Sequence, residues 1–317
     1  MLAIGLAAGP FDASTPTFGS EPTMDRIPPL SRRGFARLAA SAAVLSPLGG
    51  LAGHALAQAP AGPAPGPGRD PWLGLKMGIA TYTFLKLPLD AAIAGVRRVD
   101  LHHASIKDAH LPLKSTTEQR REVAAKFRAA GITLLSCGVI TPKDDAEIRN
   151  MFEYARDAGI PTIVCKPSRA SLPTLEKMVK EFDLKVAIHN HGPEDKVWPS
   201  PLDAWEAIGP LDPRVGVCID VGHTARFGVD PAQAIRTCAG RLFDLHIKDI
   251  EAPSGNSRPS ELGRGVLDLR GILRALLEIK YAHHVGLEFE KNLNDPMPGT
   301  AESIGYLKGV LSGLGGA

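Results

Sequence analysis

The sequence predicts a (β/α)8 barrel, a TIM barrel in a single domain. Three observations predict it. Eight short β-rich runs alternate with amphipathic helical patterns. They occupy about 250 residues, the ordinary extent of such a barrel. No Gly-rich phosphate loop follows the first run between Phe84 and Ala91, where an open doubly wound sheet would carry one.

The runs are Lys76–Thr83, Val99–His102, Thr133–Val139, Thr162–Lys166, Lys185–Asn190, Val215–Asp220, Leu242–Lys248 and His284–Glu290. The helices between them have their own signatures. Ser115-Thr116-Thr117-Glu118 reads as a capping box, Val123, Phe127 and Ala130 form an apolar stripe, and Gly131 stops the helix. Thr141-Pro142 opens the next, with Ile148, Met151, Phe152 and Ala155 on one face and Gly159 at the end. Leu175, Met178, Val179 and Phe182 repeat the pattern, as do Leu269, Ile272, Leu273, Leu276 and Leu277. Residues 74–317 are thus expected to be the barrel.

The N-terminal part reads as an address. Ser31-Arg32-Arg33-Gly34-Phe35 is a twin-arginine pattern, a mild apolar stretch runs from Leu38 to Leu56, and Ala55-Leu56-Ala57 supplies a small-x-small cleavage site. Residues 1–57 are expected to be an N-terminal extension and Tat signal peptide, and the protein to be periplasmic. Met24 lies seven residues before the motif and is the better-placed start. Pro47, Gly49, Gly50 and Gly53 interrupt the apolar stretch, which argues against a stable membrane anchor. Residues 58–73 read as a stiff Pro/Ala/Gly-rich linker.

The 317 residues are 44% hydrophobic and 22% charged with a formal net charge of +2, a composition that excludes disordered and collagen-like chains. Without a clustered basic excess there is no electrostatic case for nucleic acid. Cys137, Cys165, Cys218 and Cys238 form no C-x-x-C pair, and three lie in apolar strand-like runs, so buried free thiols are expected.

Metal-capable residues collect where the strands end, which in a barrel is where the active site is built. His189, Asp220, His246 and Glu288 close four consecutive strands and are expected to converge across the mouth. Two imidazoles and two carboxylates suit one divalent ion: Mn, Co, Zn, Fe or Mg. A lone histidine at a strand end would more often be structural; four such strands in a row carry more weight. His102, His103 and Lys166 end strands two and four in this reading.

Asp220-Val221-Gly222-His223, His246-Ile247-Lys248-Asp249 and Glu288 resemble the xylose isomerase-like TIM barrels, the sugar phosphate isomerases and epimerases, over residues 74–312. The run from Ile106 to Leu113, His189-Asn190-His191-Gly192-Pro193-Glu194 and Gly263-Arg264-Gly265 resemble one branch of that group. The resemblance implies a single metal held by strand-end Glu, Asp, His and Glu. By position these are His189, Asp220, His246 and Glu288, with His189 standing where the family has Glu. In the ketose epimerases two glutamates also shuttle the proton, so another base is needed here. Lys166, His191 and His223 are the catalytic candidates. Arg264, Lys248, Tyr82 and His102 are assigned to substrate binding, with a plain loop salt bridge the alternative for Arg264 and core packing the alternative for Tyr82. Phe84, Trp198 and Trp205 either line the pocket or pack the barrel.

Class II AP endonucleases share the barrel and the Asp-x-x-His element, and their three zinc ions require further ligands. Strand three ends Ser136-Cys137-Gly138-Val139 and the loop Asn256–Glu261 has no Asp-x-His, so DNA repair is disfavoured. The expected substrate is a small carbohydrate, unphosphorylated because sugar phosphates are scarce outside the cytoplasm: a keto-sugar or 3-keto-glycoside. The expected reaction is proton abstraction alpha to the carbonyl, giving isomerisation, epimerisation or β-elimination as a lyase. The alternative is a periplasmic sugar-binding barrel without catalysis. The helical ring would also permit a homodimer.

Overall fold

The computed structural model describes residues 70–316. The expected signal peptide and the part of the expected linker before Asp70 lie outside the described residues. Eight parallel strands form a closed barrel: β1 (Lys76–Ala80), β2 (His103–Ile106), β3 (Thr133–Ile140), β4 (Thr162–Cys165), β5 (Lys185–His189), β6 (Val215–Asp220), β7 (Leu242–Ile247) and β8 (His284–Leu287). β8 pairs with β1 to complete the ring, with Lys76 opposite His284 and Ile79 opposite Leu287. The helices are α1 (Leu89–Arg98), α2 (Thr117–Ala129), α3 (Asp145–Ala158), α4 (Leu172–Phe182), α5 (Pro201–Ile208), α6 (Val221–Arg226), α7 (Pro231–Thr237), α8 (Leu269–Glu278) and α9 (Met297–Gly315). None is long and apolar enough to cross a membrane.

Strand alternation sorts side chains into two cores. In β6, Val215, Val217 and Ile219 join the large cluster beneath the helices, while Cys218 belongs to a small cluster with Val164, Ala187 and Phe243 inside the barrel. The next inward position after Cys218 is Asp220. By the same alternation His189 follows Ala187 two residues on, and Glu288 follows the inward His284 and Gly286. The helices seal the outer core with apolar stripes. On α8, Leu269, Ile272, Leu273 and Leu276 are buried, each worth about 1.5–3 kcal/mol. Asp268 caps that helix by accepting from the Gly271 amide.

One predicted strand is misplaced. Val99–His102 is a turn and β2 starts at His103, because α1 runs to Arg98 and the chain reverses at Asp100, whose φ is 59°. Val99 and Leu101 are apolar because they are buried in the outer core. Two helix starts also shift. The capping box is Thr116 with Gln119, one residue past the predicted Ser115 start. The third helix is capped by Asp144, which accepts from the Glu147 amide, and does not open at Thr141-Pro142. The four cysteines are buried and free, as expected.

Candidate metal centre and active site

His189, Asp220, His246 and Glu288 are brought together at the barrel mouth. Each offers one ligand atom, and the four atoms lie within 4.8 Å of one another in a buried group. His189 Nε2 stands 3.0 Å from His246 Nδ1 and 3.7 Å from Asp220 Oδ2. His246 Nδ1 is 3.3 Å from Glu288 Oε2 and 4.0 Å from Asp220 Oδ2. Backbone pairing sets these positions: Asp220 lies opposite His246 in the β6–β7 register, and the Glu288 amide donates to the Ile247 carbonyl. Asn190 fixes the end of β6, accepting from the Asp220 amide while its own amide donates to Thr224.

Charge tunes the group. Burial pushes the His189 imidazole well below its ordinary range, and His246 and His191 press it further, so the ring is neutral. Burial alone would raise the Glu288 carboxyl; Lys107, Lys248 and His246 override it and hold the carboxyl well below the usual carboxylate range. Asp220 is also lowered, since His223 and Lys248 outweigh its desolvation. Neutral imidazoles and ionised carboxylates are the protonation states in which these side chains ligate a divalent cation. Asp220 Oδ2 accepts no well-directed hydrogen bond, although Lys248 Nζ is 2.9 Å away. The donor set fits one divalent ion.

Two lysines converge on Glu288, and one of them also reaches Asp220. Lys248 Nζ lies 2.9 Å from Asp220 Oδ2, 2.9 Å from Glu288 Oε2 and 3.0 Å from Glu290 Oε2. Burial would depress that ammonium, yet Asp220, Glu288 and Glu290 raise it well above the ordinary lysine range, so it is a fixed cation. Lys107 Nζ, at the end of β2, pairs with Glu288 Oε1 at 3.0 Å. Sequence reading missed Lys107. The signal was available: it directly follows β2 as Lys166 follows β4, and misplacing β2 concealed it.

The other predicted site residues divide. His191 stacks on His223, its Nδ1 is 3.3 Å from His189 Nδ1, and it lines the adjoining cavity. Burial, with His223 and Lys166 nearby, lowers His191 to about 4. Burial also lowers His223, whose Nδ1 is 2.9 Å from an Arg226 guanidinium nitrogen. Lys166 is held by Asp195 at 2.8 Å. Tyr82 lines the cavity, whereas Phe84 is fully buried in the outer core.

One assignment, His102, is corrected, and Arg264 forms the loop ion pair that is its alternative reading. His102 lies at the N-terminal end of β2, opposite the mouth, with 53% of its side chain exposed and contacts to Arg97 and the Gly131 carbonyl. Arg264 is 65% exposed and forms an ion pair with Glu302. Its neighbours explain the glycine pair: the Asp249 carboxylate accepts from the amides of Gly263, Gly265 and Leu267, and a Cβ at Gly265 would overlap that carboxylate. Gly263-Arg264-Gly265 therefore anchors the loop after β7. Of the two tryptophans, Trp198 is fully buried and donates to the Pro167 carbonyl, and Trp205 packs on the outer core.

The cavity measures about 400 Å³ and shares Lys107, His191 and Glu288 with the cluster. A buried group able to ligate a cation, beside a cavity, has the chemistry to polarise a small molecule that enters it.

Solved structures with this fold agree in architecture. The IolI protein with a bound zinc atom aligns with a TM-score of 0.65 at 19% identity, covering 75% of this chain and 98% of its own. The 3-keto-D-glucoside 4-epimerase YcjR from E. coli aligns at 0.62 and 17% identity, covering 74% and 99%. An L-ribulose 3-epimerase aligns at 0.61 and 17%, covering 75% and 95%. A search of curated proteins returned no match. The family model described as xylose isomerase-like TIM barrel matches residues 89–310, more than half of the chain and all strands from β2 to β8. By its sequence as by its closed barrel, the chain belongs to the xylose isomerase-like TIM barrel family.

Proposed function

We propose that the protein is a divalent-metal-dependent enzyme of the sugar isomerase and epimerase type. It removes the proton alpha to a carbonyl of an unphosphorylated keto-sugar or 3-keto-glycoside. The observation that carries this reading is the convergence of His189, Asp220, His246 and Glu288 within 4.8 Å at the mouth of a cavity. The fold shared with a 3-keto-D-glucoside epimerase and an L-ribulose epimerase supports the substrate class.

His189, Asp220, His246 and Glu288 would hold the ion, which when bound would polarise the substrate carbonyl and acidify the neighbouring C–H. Lys107 and Lys248 place two ammonium groups where negative charge develops on the enediolate. His191, neutral and on the cavity wall, takes the C2 proton. Lys166, engaged by Asp195, positions the loop beside it. Return of the proton to the opposite face of C2 gives the epimer, and its delivery to the neighbouring carbonyl carbon gives the isomer. Alternatively the C1–O bond breaks, its electron pair leaves on the aglycone oxygen, and that oxygen takes a proton. This outcome is a β-elimination. Ser31-Arg32-Arg33 further supports the proposal that these reactions occur in the periplasm after twin-arginine export.

Elemental analysis of the purified protein beside a His246→Ala variant tests the reading. About one divalent ion per chain, lost in the variant, is expected. A protein that takes up no Mn, Co or Zn would overturn the metal-dependent mechanism. Solvent deuterium exchange at C2 of methyl 3-keto-β-glucoside tests the chemistry.

A further inference from the structure

The barrel mouth is chemically divided. β4 to β8 end in Lys166, His189, Asp220, His246 and Glu288, whereas the cavity wall above β1 to β3 carries Tyr82, Leu85, Leu111, Leu113, Val139 and Ile140. Only Leu111 of these six is buried; the rest are partly exposed within a concave surface. Apolar area left in contact with water in a concavity is area that an apolar ligand can cover, at about 25 cal/mol per Å².

The wall has few polar groups to offer a sugar hydroxyl. Two of its backbone carbonyls are turned to other partners: Leu111 O accepts from the Tyr154 hydroxyl, and Leu113 O accepts from Arg120 and Asn150. The Leu113 amide donates to the Asp108 carboxylate, which engages one oxygen of that wall charge. Tyr82 is held from one side by Lys107, whose Nζ lies 5.8 Å from the ring centroid. Of the charged and imidazole lining groups, Lys107, His191 and Glu288 sit where the cavity meets the cluster, and Asp108 lies on the exposed edge of the wall.

We propose that this wall is a subsite for an aromatic aglycone, so that the substrate is an aryl glycoside in its keto form and not a free sugar. The proposal rests on the keto-glycoside reading of the site and deepens it. The sugar ring lies against the cluster and the two lysines. The aryl group lies against the partly exposed Tyr82, Leu85, Leu113 and Val139, where its flat apolar faces replace water.

Binding of the unoxidised parent glycosides tests the subsite without turnover, because they lack the carbonyl that the reaction needs. Affinities of phenyl β-glucoside and methyl β-glucoside are compared by titration calorimetry on the metal-loaded protein. The phenyl compound should bind at least about tenfold more tightly. Leu113→Asp and Leu85→Asp, both at partly exposed positions that tolerate a polar group, should each bring that ratio close to one. Equal affinities, or a ratio that survives both substitutions, would overturn the proposal. Deuterium exchange into methyl 3-keto-β-glucoside separates the two ideas. A phenyl preference without exchange keeps the subsite and removes the catalytic reading; exchange without a phenyl preference does the reverse.

Discussion

Lys107 Nζ and Glu288 Oε1 form a buried ion pair at 3.0 Å, spanning from the end of β2 to the end of β8. The pair joins the apolar half of the mouth to its chemical half. Breaking a buried pair leaves one charge without compensation, at about 3–5 kcal/mol. Lys107→Met should lie near the lower end, about 3 kcal/mol, because Lys248 remains 2.9 Å from the other Glu288 oxygen. The double variant Lys107→Met/Glu288→Gln should be less destabilised than the sum of its single variants, as measured by urea unfolding. Additivity within about 0.5 kcal/mol would show that the two residues do not interact.

The cavity wall depends on a second buried pair. Arg120 donates to Asp157 at 3.1 Å and to the Leu113 carbonyl at 3.0 Å, tying α2 and α3 to the wall loop. Desolvation would raise the Asp157 carboxyl, but hydrogen bonds from Arg156, Thr117 and Arg120 keep it below its ordinary 3.8. A lowered folded value means that the unfolded chain binds the proton more readily. The stabilisation is therefore fully present above the unfolded value and is lost as pH falls through the folded one. Asp157→Asn should destabilise the protein at neutral pH. The gap from the wild type in denaturant midpoint should close progressively as pH falls below about 4. A gap independent of pH would refute the assignment.

Much of this architecture was legible in the chain. β6 alternates Val215, Val217 and Ile219 with Gly216, Cys218 and Asp220, and that period alone places Asp220 inside the barrel. The same logic locates His189, His246 and Glu288. It failed at Val99–Leu101, where apolar residues serve a buried turn, and with β2 displaced Lys107 was passed over and His102 put in its place. The apolar wall was illegible for another reason. Leu111 and Leu113 sit in an irregular loop held by Arg120 of the helix that follows it and by Tyr154 and Asn150 of α3, and no local period records such contacts.

Gly265 and Arg264 make a sharp contrast between adjacent residues. Gly265→Ala would press a methyl group into the Asp249 carboxylate, which accepts from four amides after β7, those of Ile250, Gly263, Gly265 and Leu267. Melting temperature should fall, with a loss of about 1–3 kcal/mol from overpacking and broken hydrogen bonds. Arg264→Ala removes only an exposed ion pair with Glu302 and should stay within about 0.5 kcal/mol of wild type. Equal effects at the two positions would contradict the anchoring role of Asp249.

The identity of the base is open to a direct comparison. His191 lines the cavity with its ring held neutral, whereas Lys166 is engaged by Asp195 at 2.8 Å. His191→Asn should reduce kcat for C2 deuterium exchange by about 10²–10⁴-fold, the usual contribution of a positioned base, with KM little changed. Lys166→Met acts only through the Asp195 loop and should reduce kcat less than about tenfold by comparison with that range. Because burial keeps the imidazole unprotonated down to about 4, the wild-type rate should be flat near neutrality and decline only as pH approaches that value. An acid limb centred near the ordinary histidine value of about 6.5 would place the base elsewhere. So would a larger loss at Lys166 than at His191.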